Sequence, residues 1–446
     1  MRLRFRILGI TLAITVFAAG CSNGDNGNTP ADPPPIDTHS ESSADTPTPA
    51  PPASTATPTQ SETPAPSPTP ELDDVSRMLA DMTLEEKVGQ LIMIGIDGTT
   101  LDDTAASLIK KRHVGGVIFY KDNLGGLTAS VQLVNAIKAA NAGNDAPLLL
   151  GVDEEGGKVS RLPEDSFEAL PNNAAVGKSG DAALAKEMGG LLAAQLRTVG
   201  LNIDFAPVLD VNSNPDNPII GTRSFGDKAD LVAKMGVAEM KGLQEGGVIP
   251  AVKHFPGHGD TSVDSHLTLP VVNKTLMELQ QLEWIPFQAA VQEGADMVMV
   301  AHILFPKLDK DAPASFSKII IGDQLRGTLG FDGVVITDEM TMGAISNHFG
   351  IINAALRSVE AGSDILMIAH GYDNMKSVYD QLLKAVKDGK IKESRIDESV
   401  RRILTLKLKY ELSDDPTPIP SKTDLPNDQV RDWKARLAKA ASGSSK

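Results

Sequence analysis

Cysteine is nearly absent: one in 446 residues, which excludes an internal disulfide framework and any Cys-based zinc cluster. Positive charge is in deficit as well. The formal net charge is −16, and three of the cations, Arg2, Arg4 and Arg6, stand at the extreme N-terminus. With no basic stripe anywhere, the chain is unsuited to phosphate backbones, and no nucleic-acid partner is expected. Long hydrophobic runs are missing after the first twenty residues, so no later segment approaches the ~20 apolar residues of a bilayer span. Lys and Arg are absent from residues 22–70, where 13 of the 29 prolines fall. Such a stretch cannot bury a core and favours extended conformations.

What is present divides the chain into four parts. Residues 1–21 read as a targeting segment: a basic start, an apolar run from Ile7 to Phe17, then Ala18-Ala19-Gly20 leading into Cys21. This pattern resembles a bacterial lipobox, with Cys21 as the lipid anchor. The protein is therefore expected to be exported and held at the extracytoplasmic face of the membrane by lipid rather than by a helix. Residues 22–72 form a Pro/Thr/Ser-rich tether that gives reach. Residues 73–412 hold the folded body, and residues 413–446 a tail too short for a second domain.

The body alternates strand and helix. Apolar runs at Leu91–Ile96, Val114–Tyr120, Pro147–Val152, Asn202–Leu209, Val248–Lys253, Met297–His302, Gly333–Thr337 and Asp364–Ala369 predict eight strands. Helical patterns lie between them, including Asp181–Val199, Leu231–Glu245 and Ile345–Ala361. Gly200, Gly246, Gly294 and Gly362 are placed to end helices, since glycine accepts positive φ. Eight near-continuous apolar strands, each followed by a helix, predict an α/β fold: one (β/α)8 TIM-type barrel, in preference to an open doubly wound sheet.

In such a barrel the site lies at the C-terminal ends of the strands. There the sequence places Asp153-Glu154-Glu155, Asp210, Lys253-His254, His302, Asp338-Glu339 and His370, with a fifth loop running from Phe255 to His266. Five of the eight histidines collect at this face, a concentration of titratable groups that points to an enzyme. Two chemistries could use them. A hydrolytic metal site could draw on His254, His258, Asp264 and His266. Glycoside cleavage needs a carboxylate and a proton donor on either side of an anomeric carbon. Asp338 at a strand end suits the first role, with Glu339 beside it a rival that points the other way. Asp264-Ser265-His266 suits the second, because an acid two residues before an imidazole can orient the ring.

Four motifs now resemble a known family. Lys253-His254-Phe255-Pro256-Gly257-His258-Gly259 with Asp264-Ser265-His266, Asp153-x-Glu155-Gly156-Gly157-x-Val159-x-Arg161, Arg223-Ser224-Phe225-Gly226, and Thr337-Asp338 are similar to glycoside hydrolase family 3, in its β-N-acetylglucosaminidase (NagZ-type) branch. The resemblance covers about residues 75–410. It implies a retaining mechanism through a covalent glycosyl-enzyme, with no metal and no cofactor. It implies Asp338 as nucleophile, His266 as general acid/base and Asp264 as its partner. Asp153, Arg161, Arg223, Lys253 and His254 would bind the N-acetylglucosamine of an oligosaccharide such as a cell-wall fragment. Lys253 and Arg223 are expected to favour the ionised form of Asp338. His258 is expected to be structural, and Asp210, His302 and His370 supporting. Glu154 and Lys158 depart from the Gln and Arg that the family commonly carries, and an extra acid beside Asp153 would change the charge where sugar binds. A single-domain monomer is expected. Phosphorolysis instead of hydrolysis, and a surface sugar-binding lipoprotein without turnover, are the competing readings.

Overall fold

The computed structural model describes residues 73–443. Cys21, the targeting segment and the tether lie outside the described residues. Each of the eight predicted apolar runs forms a strand: β1 Ile92–Ile94, β2 Gly116–Phe119, β3 Leu149–Val152, β4 Ile203–Asp204, β5 Ile249–Phe255, β6 Met297–Val300, β7 Val334–Thr337 and β8 Leu366–Ile368. All pair in parallel in the order β8-β1-β2-β3-β4-β5-β6-β7. Thr337 N donates to Ile365 O at 3.0 Å and Ile365 N to Val335 O at 3.0 Å, joining β7 to β8. The sheet thus closes into a (β/α)8 barrel. Because helices cover the outer face and side chains fill the interior, the strands are buried on both sides, which explains their unbroken apolar character.

The helices follow local chemistry. Ala182–Val199 starts where the Asp181 side chain accepts from Ala183 N and ends at Gly200 with φ +92°. At the next helix the expected stop moves by one residue. Gly246 keeps φ −74°, and Gly247 takes the left-handed conformation at +74°. With two glycines in a row, the second makes the turn into β5. The helix expected over Ile345–Ala361 is broken into Gly343–Ser346 and Ile351–Ala361 by Gly350 at φ +74°. Among the described residues, no helix is long and apolar enough to cross a membrane.

Residues after Ser413 are not a loose tail. Asp414 accepts from Asn141 Nδ2 at 2.6 Å and from Leu148 N at 3.2 Å, and Thr417 exchanges two hydrogen bonds with the Asn135 amide. The last helix, Asn427–Gly443, buries Val430, Trp433 and Leu437 on one face, and Trp433 Nε1 donates to Leu184 O at 3.1 Å. Their spacing of three and four residues is a helical stripe. Trp433→Ala should destabilise the fold by about 3–5 kcal/mol through the cavity it leaves. Urea denaturation measures this, and an unmoved midpoint would mean the helix does not hold to the barrel.

Candidate active site

All eight residues expected to bind or react line one cavity of about 310 Å³: Asp153, Arg161, Arg223, Lys253, His254, Asp264, His266 and Asp338. They arrive from five directions. Asp153 and Arg161 follow β3, Arg223 lies in the connection after β4, and Lys253 and His254 are on β5 itself. Asp264 and His266 ride on the loop after β5, and Asp338 follows β7.

The floor is built on a residue the sequence reading left without a role. Glu155 is buried, and its Oε1 meets Lys253 Nζ at 2.7 Å and Arg223 Nη2 at 2.6 Å. Its Oε2 accepts from Arg223 Nε at 2.8 Å, completing a bidentate pair. Lys253 Nζ also donates to Asp153. Burial pushes the Glu155 carboxyl up, but the Arg223 and Lys253 charges outweigh it and hold it far below the usual carboxylate range. Asp153 and Glu155 are two positions apart at the end of one strand, so they face the same way, and that spacing was the available signal. Two more buried acids stand near this cluster. Among the described residues, Asp204 Oδ2 and both Glu239 oxygens find no hydrogen-bond partner. Burial and the charge of Glu155 push Glu239 up to about 8, which favours its neutral form beside the cluster.

Glu154 proves harmless to the sugar-facing charge. It is buried away from the cavity and accepts from Ser160 Oγ, from Arg161 N at 2.7 Å and from Leu162 N at 3.1 Å, which shapes the loop after β3. Asp210 orients His254: its Oδ2 lies 2.6 Å from His254 Nδ1, and its Oδ1 accepts from His258 N at 2.7 Å. Burial raises the Asp210 carboxyl, but the His254 ring offsets this, and the net direction is downward. A carboxylate only accepts, so His254 Nδ1 carries the proton and Nε2 faces the site, 3.4 Å from Arg223 Nη2. His258 also lines the cavity, and two side chains hold its ring: Thr261 Oγ1 at 2.7 Å and Ser265 Oγ at 3.3 Å. Burial pushes it down to about 4, leaving it neutral.

Asp338 and Glu339 differ sharply in their free valence. The Glu339 carboxylate accepts from Thr341 N at 3.0 Å, Thr341 Oγ1 and Ala369 N at 2.9 Å, with His370 Nδ1 at 3.6 Å. Among the described residues, Asp338 accepts only from Glu339 N, at 2.8 Å through Oδ1, which leaves its other oxygen without a hydrogen bond on a residue that lines the cavity. Its ionisation is supported differently from the expectation. Lys253 and Arg223 are committed to Asp153 and Glu155. Burial raises the Asp338 carboxyl, and the imidazoles of His302, His254 and His266 with the Glu339 amide more than offset it, holding it below the ordinary aspartate range. His302 is itself anchored by Ser315 Oγ at 2.7 Å and Glu339 O at 3.0 Å.

His266 is largely exposed, its Nδ1 lying 2.8 Å from Asp264 Oδ1, which also accepts from His266 N at 2.9 Å. Burial raises Asp264, the His266 amide and ring lower it, and the net shift is downward. The ring is therefore tethered by Nδ1, and among the described residues its Nε2 has no hydrogen-bond partner. Among the described residues, no three His, Cys, Asp or Glu side chains converge to hold a metal ion. Tyr120, Met299, Met342, Met367 and His370 are also among the lining residues. The Tyr120 and His370 rings are 5.1 Å apart. None of these five was expected to bind, because their positions carry no motif.

A barrel mouth that keeps one aspartate oxygen free and tethers an imidazole over a floor of paired charges is the working arrangement of a glycoside hydrolase. The chain belongs to glycosyl hydrolase family 3: residues 83–406 match that family's N-terminal domain. Beta-hexosaminidase A of Pseudoalteromonas piscicida is 34% identical over 367 residues, 77% of this chain and 61% of that protein. Beta-hexosaminidase LpqI of Mycobacterium tuberculosis is 35% identical over 327 residues, 72% of this chain and 82% of that protein. A solved family 3 β-N-acetylglucosaminidase from Paenibacillus sp. FPU-7 is 42% identical with a TM-score of 0.75, over 81% of this chain and 69% of that one.

Glu155→Gln tests the floor. Leaving Lys253 and Arg223 short of a buried counter-charge should cost about 3–5 kcal/mol of stability. The folded pKa of Glu155 lies below its unfolded value of about 4.3. The wild-type advantage is therefore complete above that pH and is lost as the pH falls below it. Urea midpoints of both proteins between pH 7 and pH 3 read the difference, and a gap that widens on acidification would contradict the assignment.

Proposed function

We propose that the protein is a retaining exo-β-N-acetylglucosaminidase that removes terminal β-linked N-acetylglucosamine from peptidoglycan fragments or chitooligosaccharides. One observation carries the reading: Asp338 with a free oxygen and the Asp264–His266 pair line the same sugar-sized cavity. The names of the family 3 relatives support the choice of sugar.

Protonated His266 gives its Nε2 proton to the glycosidic oxygen as an Asp338 oxygen bonds to the anomeric carbon and the aglycone leaves. Neutral His266 then takes a proton from water, which attacks the same carbon and releases Asp338 and the sugar with net retention. Asp264 holds the ring through Nδ1 in both steps and stabilises its cationic form. Asp153, Lys253, Arg223, Arg161 and His254 supply donors and acceptors to the sugar hydroxyls and the acetamido group. The methionines beside Asp338 offer apolar surface to the ring and the acetyl methyl. Export and anchoring through Cys21 rest on the lipobox pattern, and they place the reaction outside the cytoplasm.

Asp338→Ala should abolish turnover of an aryl β-N-acetylglucosaminide, and substantial residual activity would remove Asp338 from the nucleophile's role. His266→Ala should slow a poor leaving group by about 100-fold or more and an activated one far less. Products are identified with and without inorganic phosphate. Free N-acetylglucosamine in both cases is expected, whereas its 1-phosphate would make the protein a phosphorylase.

A further inference from the structure

The loop that carries His266 has two ends, and they are held in different ways. At its stem, the Asp210 carboxylate accepts from His258 N, Asn217 Nδ2 donates to His258 O at 2.8 Å, and Lys274 bridges Asp260 and Glu283. The tip is a single turn, residues 264–268, in which Leu267 N and Thr268 N both donate to Asp264 O at 3.1 Å. Its side chains give it little purchase. Val263 is 37% exposed, Leu267 is 73% exposed, and the His266 ring stands in the open mouth. Apart from the buried Ser265, whose Oγ lies 3.3 Å from His258, its anchors among the described residues are bonds from the turn that follows Asp338 to its carbonyls. Gly343 N donates to His266 O at 3.0 Å, Ala344 N donates to Ser265 O at 3.1 Å, and Asn347 Nδ2 reaches Leu267 O at 3.5 Å.

Gly343 makes this approach possible. A Cβ at that position would stand 2.6 Å from Leu267 O and 2.7 Å from His266 O, closer than carbon and backbone oxygen can come. The glycine is not needed for conformation. It opens the Gly343–Ser346 helix without a left-handed φ, where alanine is favoured by about 1 kcal/mol. Space for the neighbouring backbone is therefore what glycine provides there.

Resting on the catalytic roles proposed above, we infer that Gly343 is a positioning residue: the 343–347 turn is the seat that registers the His266 arm against Asp338. The seat grows from the strand that fixes Asp338. The two groups are thereby set relative to one another by one local contact rather than through the length of the loop. Filling the seat pushes the arm outward and leaves Asp338, Glu155 and the floor untouched.

The test is Gly343→Ala in the full chain, with Gly190→Ala as control, since a Cβ at Gly190 meets nothing within 4 Å. Two substrates are compared by kcat/KM: chitobiose, whose leaving group needs a proton, and 2,4-dinitrophenyl β-N-acetylglucosaminide, whose leaving group does not. Displacing a catalytic group by about 1 Å costs on the order of 100-fold. Chitobiose cleavage by Gly343→Ala should fall by about that factor, while cleavage of the dinitrophenyl glycoside changes by less than about 3-fold and its first-turnover burst persists. The burst also shows that the variant is folded. Asn347→Ala, which removes only the outer bond, should show the same asymmetry at about 2- to 5-fold. Equal losses on both substrates, or no loss on either, would overturn the inference. An inactive wild type would instead reject the glycosidase reading itself.

Discussion

Two cations are held at the mouth of this barrel because one buried carboxylate serves both. Glu155 takes Lys253 and the whole fork of Arg223, and Asp153 takes the remaining side of Lys253. Desolvating an isolated ammonium or guanidinium would cost several kcal/mol each, and only close pairing with well-satisfied geometry offsets that. The cluster ties β3, the connection after β4, and β5 into one rigid floor. It also explains why Asp338 stays unpaired. The strong cations are consumed elsewhere, so what supports the Asp338 anion is three imidazoles, those of His302, His254 and His266, and a backbone amide. An aspartate locked to lysine or arginine would be a weaker attacker.

The site separates fixed groups from a carried one. Asp338, Lys253 and His254 are placed by strands, whose backbone pairing leaves little freedom, while Asp264 and His266 are placed by a loop. A loop suits a group that must address the leaving oxygen and later the incoming water. Glu339 shows how nearness alone does not make a reactive carboxylate. It sits next to Asp338 in sequence, yet its oxygens are saturated by Thr341, Ala369 and His370, and it holds the turn after β7 in place.

Periodicity carried most of the fold. The eight apolar runs are legible because parallel strands buried on both faces have no polar positions to interrupt them. What was not legible turned on single residues whose choice depends on neighbours far along the chain. Gly350 breaks a helix that the pattern would continue, and Gly247 rather than Gly246 makes the turn into β5. The Val430–Trp433–Leu437 stripe was readable, but its partner helix, Ala182–Val199, lies over two hundred residues earlier. In the site, motif order named residues that line one cavity. The pairing between them was misassigned, because no spacing says that Lys253 and Arg223 meet Glu155 before they meet Asp338. The Asp153/Glu155 alternation at the end of β3 was the one local clue to that pairing.

The bidentate hold of Glu155 on Arg223 has a consequence for how this fold can diversify. Two cations, Arg223 and Lys253, are balanced by two carboxylates, Glu155 and Asp153, so exchanging any one of the four strands a charge. A descendant that turned to a different sugar would have to replace the four together or leave them alone and retool the rim. Variation in taste should therefore accumulate at Tyr120, Lys158 and His370, with the foundation inherited intact.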